Sequence, residues 1–324
     1  MKLCSCFLSL AAALAMTGAS VAAPLYSQNF DVDDTANWTV NPSTGANTTD
    51  YVSDFFYDYS AIGVPAAPNG TGTRGLKMTA NNTTGVFGGF TTSPTGQNFS
   101  GEYRVSFDMW QNYAGPIGPG GNGTTQFSQY GIGTAGTASQ WIGSTNTKDS
   151  VSFGTTLDGG SASDFRAYSS AANTSYPSGN AVYQAPAGAI NNSAAYYMTA
   201  YPSVAGPASQ TGIYPGQTGS TDAGETAFTW RRVVIDVAGG FATWSIDGTP
   251  LARVNLSTVT LGGGNILFGH SDTNAGASTD LNDVALNVTL IDNIDVSAIP
   301  EPASAMLLFV GLAAGLVGRG RRSA

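Results

Sequence analysis

The sequence predicts an all-β fold, an antiparallel β-sandwich, and three observations predict it. The 324 residues include 42 glycines, with many Ser, Thr and Asn, a composition that suits short strands and frequent turns. The stretch "EYRVSFDMW" (102–110) alternates with period two. The stretch "WRRVVIDVAGGFATWSIDGTPLARVNL" (230–256) reads as three strands joined by glycine turns. With 42% hydrophobic and 10% aromatic residues, the composition excludes a disordered chain.

The elements follow in chain order. Residues 1–22 form an expected secretory signal: Met1-Lys2, an apolar run from Leu3 to Met16, then "ASVAAP" with the cut after Ala22. Both cysteines, Cys4 and Cys6, fall inside it, so the exported chain carries neither thiol nor disulfide. Residues 23–298 are expected to be one sandwich domain, because no charged or Pro-rich linker divides them. In "EYRVSFDMW", Tyr103, Val105, Phe107 and Met109 share the face toward the core, while Arg104, Ser106 and Asp108 face the other way. "QFSQYGIG", "SVSFGT", "DFRAYSS" and "AYYMTAY" (195–201) are candidate strands of the looser middle. "VVIDV" and "FATWSI" join through Ala238-Gly239-Gly240, and Asp247-Gly248 then turns into "LARVNL". "NILFGH" (265–270) and "VALNVTLIDNIDV" (284–296) supply two or three more strands. No helical periodicity of useful length occurs between 24 and 299.

Residues 299–324 differ in kind. Pro300, Glu301 and Pro302 keep the chain extended and open to an enzyme. Ala303 to Gly318 is an uncharged apolar run of 16 residues, just under the usual spanning length of about 17–25. Arg319, Arg321 and Arg322 follow as a cationic stop, which by the positive-inside rule stays cytoplasmic.

Two resemblances attach to these residues. "FTWRRVVIDVAGGFATWSIDG", with "GNILFGHSD" and "LIDNIDV", resembles the C-terminal strands of concanavalin A-like (laminin G-like) jelly rolls, over about 70 residues. That resemblance implies a jelly roll and says little about function. The Pro-Glu-Pro, short span and arginine end, behind a signal peptide, resemble the PEP-CTERM sorting signal of Gram-negative bacteria. This resemblance implies signal peptidase and exosortase as processing partners, a transient stay in the inner membrane, and delivery to the cell surface or extracellular matrix.

Chemistry is sparse. One histidine, His270, stands beside Ser271-Asp272 with no nucleophile elbow elsewhere, so a Ser/His/Asp triad is not expected. The three glutamates, Glu102, Glu225 and Glu301, form no glycosidase motif, and no enzyme is expected. Eight basic and twenty acidic residues lie between Ala23 and Ile299, a charge of −12 that argues against nucleic acid and permits cations or neutral sugars. Calcium is the cation to consider: "FDVDD" offers Asp31, Asp33 and Asp34 near the first strand, and "LIDNIDV" offers Asp292, Asn293 and Asp295 near the last. Solvated turns and strand ends are the competing reading of both clusters. "DFFYDY" (54–59) and Tyr196, Tyr197 and Tyr201 are candidate sugar-stacking surfaces, whereas Trp110, Trp230 and Trp244 suit strand packing. The role expected is structural or adhesive, in envelope or biofilm; the alternatives are a carbohydrate-binding, lectin-like module and, more weakly, a glycoside hydrolase.

Overall fold

The computed structural model describes residues 24–43, 50–80, 82, 88–115, 125–143, 147–158, 160–272 and 285–299. The expected signal helix (1–22), Pro300, Glu301 and Pro302, the membrane run, and Arg319, Arg321 and Arg322 lie outside the described residues.

Alternating apolar residues build two antiparallel sheets. The larger takes β1 (Pro24–Gln28), β3 (Tyr51–Asp58), β4 (Arg74–Ala80), β6 (Tyr103–Asn112), β10 (Arg231–Ala238), β11 (Phe241–Ile246), β12 (Thr249–Asn255) and β14 (Val288–Ala298). Its order is β12-β11-β10-β6-β14-β4-β3, with β1 also paired to β14. The smaller takes β2 (Trp38–Pro42), β5 (Gly88–Pro94), β7 (Gln126–Thr134), β8 (Val151–Thr156), β9 (Phe165–Tyr168) and β13 (Asn265–Asp272), in the order β2-β5-β13-β7-β8-β9. The all-β sandwich expected from the sequence is therefore observed. The meander 230–256 folds as read: Gly239 and Gly240 (φ 56° and 78°) make one hairpin turn, and Asp247 and Gly248 (φ 49° and 78°) make the other.

Two expectations are corrected. "AYYMTAY" is not a strand: Ala195–Ala200 is a helix, α1, and a second short helix, α2, spans Ala208–Ile213. Both are too brief to show a helical period in the sequence. The segments 265–270 and 284–296 supply two described strands, β13 and β14, within the two or three expected. And β6 is buried on both faces, not one. Its Tyr103, Val105, Phe107 and Met109 enter the inter-sheet core, where Phe107 meets Tyr130 and Phe268 edge-on at 5.1 and 5.0 Å. Its other face is roofed by residues 59–67, whose Tyr59, Ile62 and Val64 form a second apolar cluster with Trp110, Val288, Leu290 and Trp230.

The core is not wholly apolar. Gln111 Nε2 donates to Ser128 Oγ (2.8 Å), Ser128 and Thr289 hydroxyls meet at 2.7 Å, and Thr289 Oγ1 reaches His270 Nδ1 at 2.9 Å. His270 Nε2 lies 2.7 Å from Gln126 Oε1. A Gln oxygen only accepts, so Nε2 carries the proton and Nδ1 accepts from Thr289. The chain of bonds joins the two sheets and uses both nitrogens of the one histidine, leaving none for a triad. Burial depresses the His270 pKa to about 3, so the ring is neutral in the fold. Its contribution to stability is full above the unfolded value near 6.5 and fades as pH falls toward 3.

Replacing Thr289 with valine leaves His270 Nδ1 and Ser128 short of a partner inside the core. The expected cost is about 1–3 kcal/mol at neutral pH, read by urea unfolding. A change below about 0.5 kcal/mol would contradict the network.

Candidate functional site

β14 changes partner halfway along. Its first half pairs with β4 (Thr289–Ile291 against Leu76–Met78) and its second half with β1 (Ile294–Ser297 against Pro24–Gln28). Between them the strand bulges: Asp292 stands opposite Asp108 of β6, but the next partners are Asp295 and Ser106. Asn293 takes up the extra residue at φ 49°, the left-handed region that Asn tolerates better than most residues. A groove of about 460 Å³ opens at this switch, on the outer side of the larger sheet. Its walls are Ser27, Gln28 and Asn29 of β1 and its loop, Asn69, Gly70 and Thr71 of the roof, and Arg232, Asn293 and Asp295 of the sheet.

Under the groove lies a row of charges across three strands: Arg232 of β10, Asp108 of β6 and Asp292 of β14. Asp108 is fully buried. Its carboxylate accepts from Arg232 Nη1 (3.1 Å), Asn69 N (3.2 Å), Asn69 Nδ2 (2.7 Å) and Asn293 Nδ2 (2.9 Å). Arg232 also donates to the Asn293 carbonyl (3.1 Å) and to Ser106 Oγ (2.6 Å). One carboxylate thus ties the roof, the bulge and β10 together. Gly70 lies flat on the Asn293 amide, where an added Cβ would collide with Asn293 Oδ1.

Asp292 is nearly as buried but has fewer donors. Asn293 N (2.7 Å) and Tyr59 Oη (3.0 Å) serve it. Tyr59 has one proton and two acceptors, Asp292 Oδ2 and Gly72 O (3.1 Å). Asp31 adds another acceptor: a Cβ at Gly72 would meet its Oδ1. Burial, with help from the charges of Asp108 and Asp31, raises the Asp292 pKa to about 7. Oxygen acceptors here outnumber protons, and a hard cation takes oxygen donors of this kind.

The six residues read as a calcium cluster divide. Asn293 and Asp295 line the groove, Asp292 lies beneath it with Asp31 near enough to act on its charge, and β1 lies beside β14. Asp33 is exposed and accepts from Thr35 N (3.0 Å) and Oγ1 (2.7 Å). Asp34 turns instead to Gln28, Asn37 and Trp38 Nε1. Among the described residues no three His, Cys, Asp or Glu side chains form a ready-made metal group. The aromatic candidates are occupied: Phe55 and Tyr59 are buried, and Arg74 and Lys77 cap Phe56 and Tyr57 at 3.9 and 4.4 Å. Tyr197 and Tyr201 are buried against Phe165, and Tyr196 Oη donates to Pro250 O. Sequence reasoning does not single out Asp108, Arg232 or Asn69 as site residues. The alternation that places Asp108 and Arg232 on the polar face is the available signal, but the roof over that face comes from residues far away in sequence.

No family model matches the sequence, and no curated protein matches it. Solved structures that align with it include a Bacillus subtilis protein of unknown function with a galectin-like fold: TM-score 0.41, 10% identity, covering 85% of this chain and 96% of that one. The VIP36 exoplasmic/lumenal domain, in a form bound to Ca²⁺ and mannose, aligns at TM-score 0.42 and 8% identity, covering 85% and 91%. The Crh5 transglycosylase aligns at TM-score 0.40 and 13% identity, covering 86% of each chain. At these values the likenesses carry nothing about what this chain binds.

Two outcomes follow from the geometry. Gly70→Ala is expected to push Asn293 off Asp108 and to lower stability by about 1–3 kcal/mol despite its exposed position. An unchanged urea midpoint would contradict the packing. In chelator-treated protein, Asp292 contributes stability that is full below about pH 4 and is lost as pH rises through about 7. Asp292→Asn should remove that slope and raise the melting temperature at mildly alkaline pH; an identical slope in the variant would show that Asp292 is not its source.

Proposed function

We propose that this is an exported surface protein whose sandwich binds carbohydrate through the groove at the β14 switch. One observation carries the reading: a groove of about 460 Å³ walled by amides, hydroxyls, one carboxylate and Arg232, on a backbone held by Asp108. Amide and hydroxyl groups fixed in this way suit the hydroxyls of a neutral sugar. This supports the lectin-like alternative over a purely structural role, and the concanavalin A-like jelly roll is the fold proposed for it. Glycoside hydrolysis would need two carboxyls across the groove, and among its described lining residues Asp295 is the single one. Calcium, if part of this function, belongs with Asp31, Asp292 and the Gly72 carbonyl, where acceptors are in excess.

Delivery is proposed to follow the tail: signal peptidase removes 1–22, and exosortase acts at Pro300, Glu301 and Pro302 while Arg319, Arg321 and Arg322 hold the end in the cytoplasm. The destination is the cell surface or extracellular polymer, with polysaccharide as partner and the adhesive role as its setting.

The test is glycan-array and polysaccharide pull-down binding by the full-length protein. Thr71 is exposed, so Thr71→Trp should fold normally and fill the groove, weakening binding at least about tenfold, or 1.4 kcal/mol. Binding that survives Thr71→Trp, or no binding to any glycan, overturns the reading. For sorting, replacing Pro300, Glu301 and Pro302 with alanine should trap the protein in the inner membrane, read by fractionation; unaltered release would contradict exosortase processing.

A further inference from the structure

A second cluster of acids lies away from the groove. Asp164 precedes β9, Asn192 precedes α1, and Glu225 precedes β10; three separate loops bring them together. All three are nine-tenths or more buried. Asp164 is well served: Thr156 Oγ1 donates to its Oδ1 (2.9 Å) and Asn192 N to its Oδ2 (2.9 Å). Glu225 is not. Its carboxyl is reached by Asn192 Nδ2, which donates to Oε1 at 3.2 Å, and by the Asp222 backbone, while among the described residues its buried Oε2 has no hydrogen-bond partner.

Glu225 lines a small cavity, together with Thr156, Asp164, Asn192 and Thr226. The cavity measures about 10 Å³, room for one water-sized sphere and no more. Gly224 completes the wall at φ +100°, and a Cβ there would collide with the Asn192 carbonyl. The charges facing Glu225 are all negative: Asp222, Asp158 and Asp164. Two cations lie nearby: Arg166 acts on Asp164, and Arg231 donates to the Thr226 carbonyl (3.3 Å) while pairing with Asp247; the Tyr113 phenol feels Glu225, Asp158 and Asp222.

We propose that this cavity holds one hard cation, calcium by its oxygen donors, between the carboxylates of Glu225 and Asp164. A buried anionic oxygen surrounded by like charge needs a positive partner. Metal-free, such a group escapes the cost by taking up a proton, and a cation competes with that proton for Oε2. A bare cation fits the one-sphere volume, takes the free oxygen, and offsets the neighbouring acids together. Two carboxylates with hydroxyl and amide oxygens are ligands of the kind calcium takes. The ion would clasp the loops ahead of β9, α1 and β10, so its role is to fix the loops at this end of the sandwich. The inference stands independently of the carbohydrate reading.

Calcium titrated into metal-stripped full-length protein at about pH 8, followed by calorimetry, reads the binding directly. The expected result is a saturable binding event at this cavity. Glu225→Gln, which mimics the protonated side chain and should fold, is expected to abolish it, and Asp292→Asn to leave it intact. Should Glu225→Gln fail to fold, Asp164→Asn tests the same site and should weaken binding at least about tenfold. Absence of calcium binding to the wild type, or binding with the same affinity in both cavity variants, overturns the proposal and leaves a cavity holding water alone.

Discussion

The rest of the molecule depends on where one carboxylate can be buried. Asp108 sits at the centre of the larger sheet with no access to solvent. An isolated buried carboxylate costs several kcal/mol, and it persists because four donor contacts from three separate segments converge on it. Those segments are the roof at Asn69, the bulge at Asn293 and the strand carrying Arg232. Satisfying Asp108 therefore fixes the shape of β14 where it exchanges β4 for β1. The groove is the space left by that exchange, and its rigidity comes from the charge beneath it.

Asp108 also sets the chemistry of its neighbour. Asp292 stands directly opposite it in the sheet, two acids in register. The donors are spent mostly on Asp108, so Asp292 keeps a raised pKa and shares the single Tyr59 proton with the Gly72 carbonyl. The Glu225 cavity repeats the pattern: Asp164 takes the donors and Glu225 keeps an unpartnered oxygen. Both cysteines, Cys4 and Cys6, precede residue 23, so paired acids of this kind are places where a cation adds stability that no disulfide within 24–299 supplies.

Legibility in the sequence tracks locality. The hairpins at Gly239-Gly240 and Asp247-Gly248 are readable because turn chemistry is local and demands positive φ. The inward face of β6 is readable because period two is local. Helix α1 is not, since six residues rich in Ala and Tyr carry no distinguishing period. The burial of Asp108 is also hidden: its cover, Tyr59 to Gly70, lies about forty residues earlier and announces itself by no pattern. For the same reason the acids near the first and last strands can be picked out in the sequence, while Asn69 and Arg232 cannot. Glu225 looks ordinary in the sequence because only distant loops together make its surroundings acidic.

The central claim is that Asp108 and Arg232 act as one unit in shaping this face. A double-mutant cycle of Asp108→Asn and Arg232→Gln, read by urea unfolding, tests it most directly. The account predicts a coupling energy of about 1 kcal/mol or more, with the double variant less destabilised than the sum of the singles. Additivity within about 0.3 kcal/mol would contradict it.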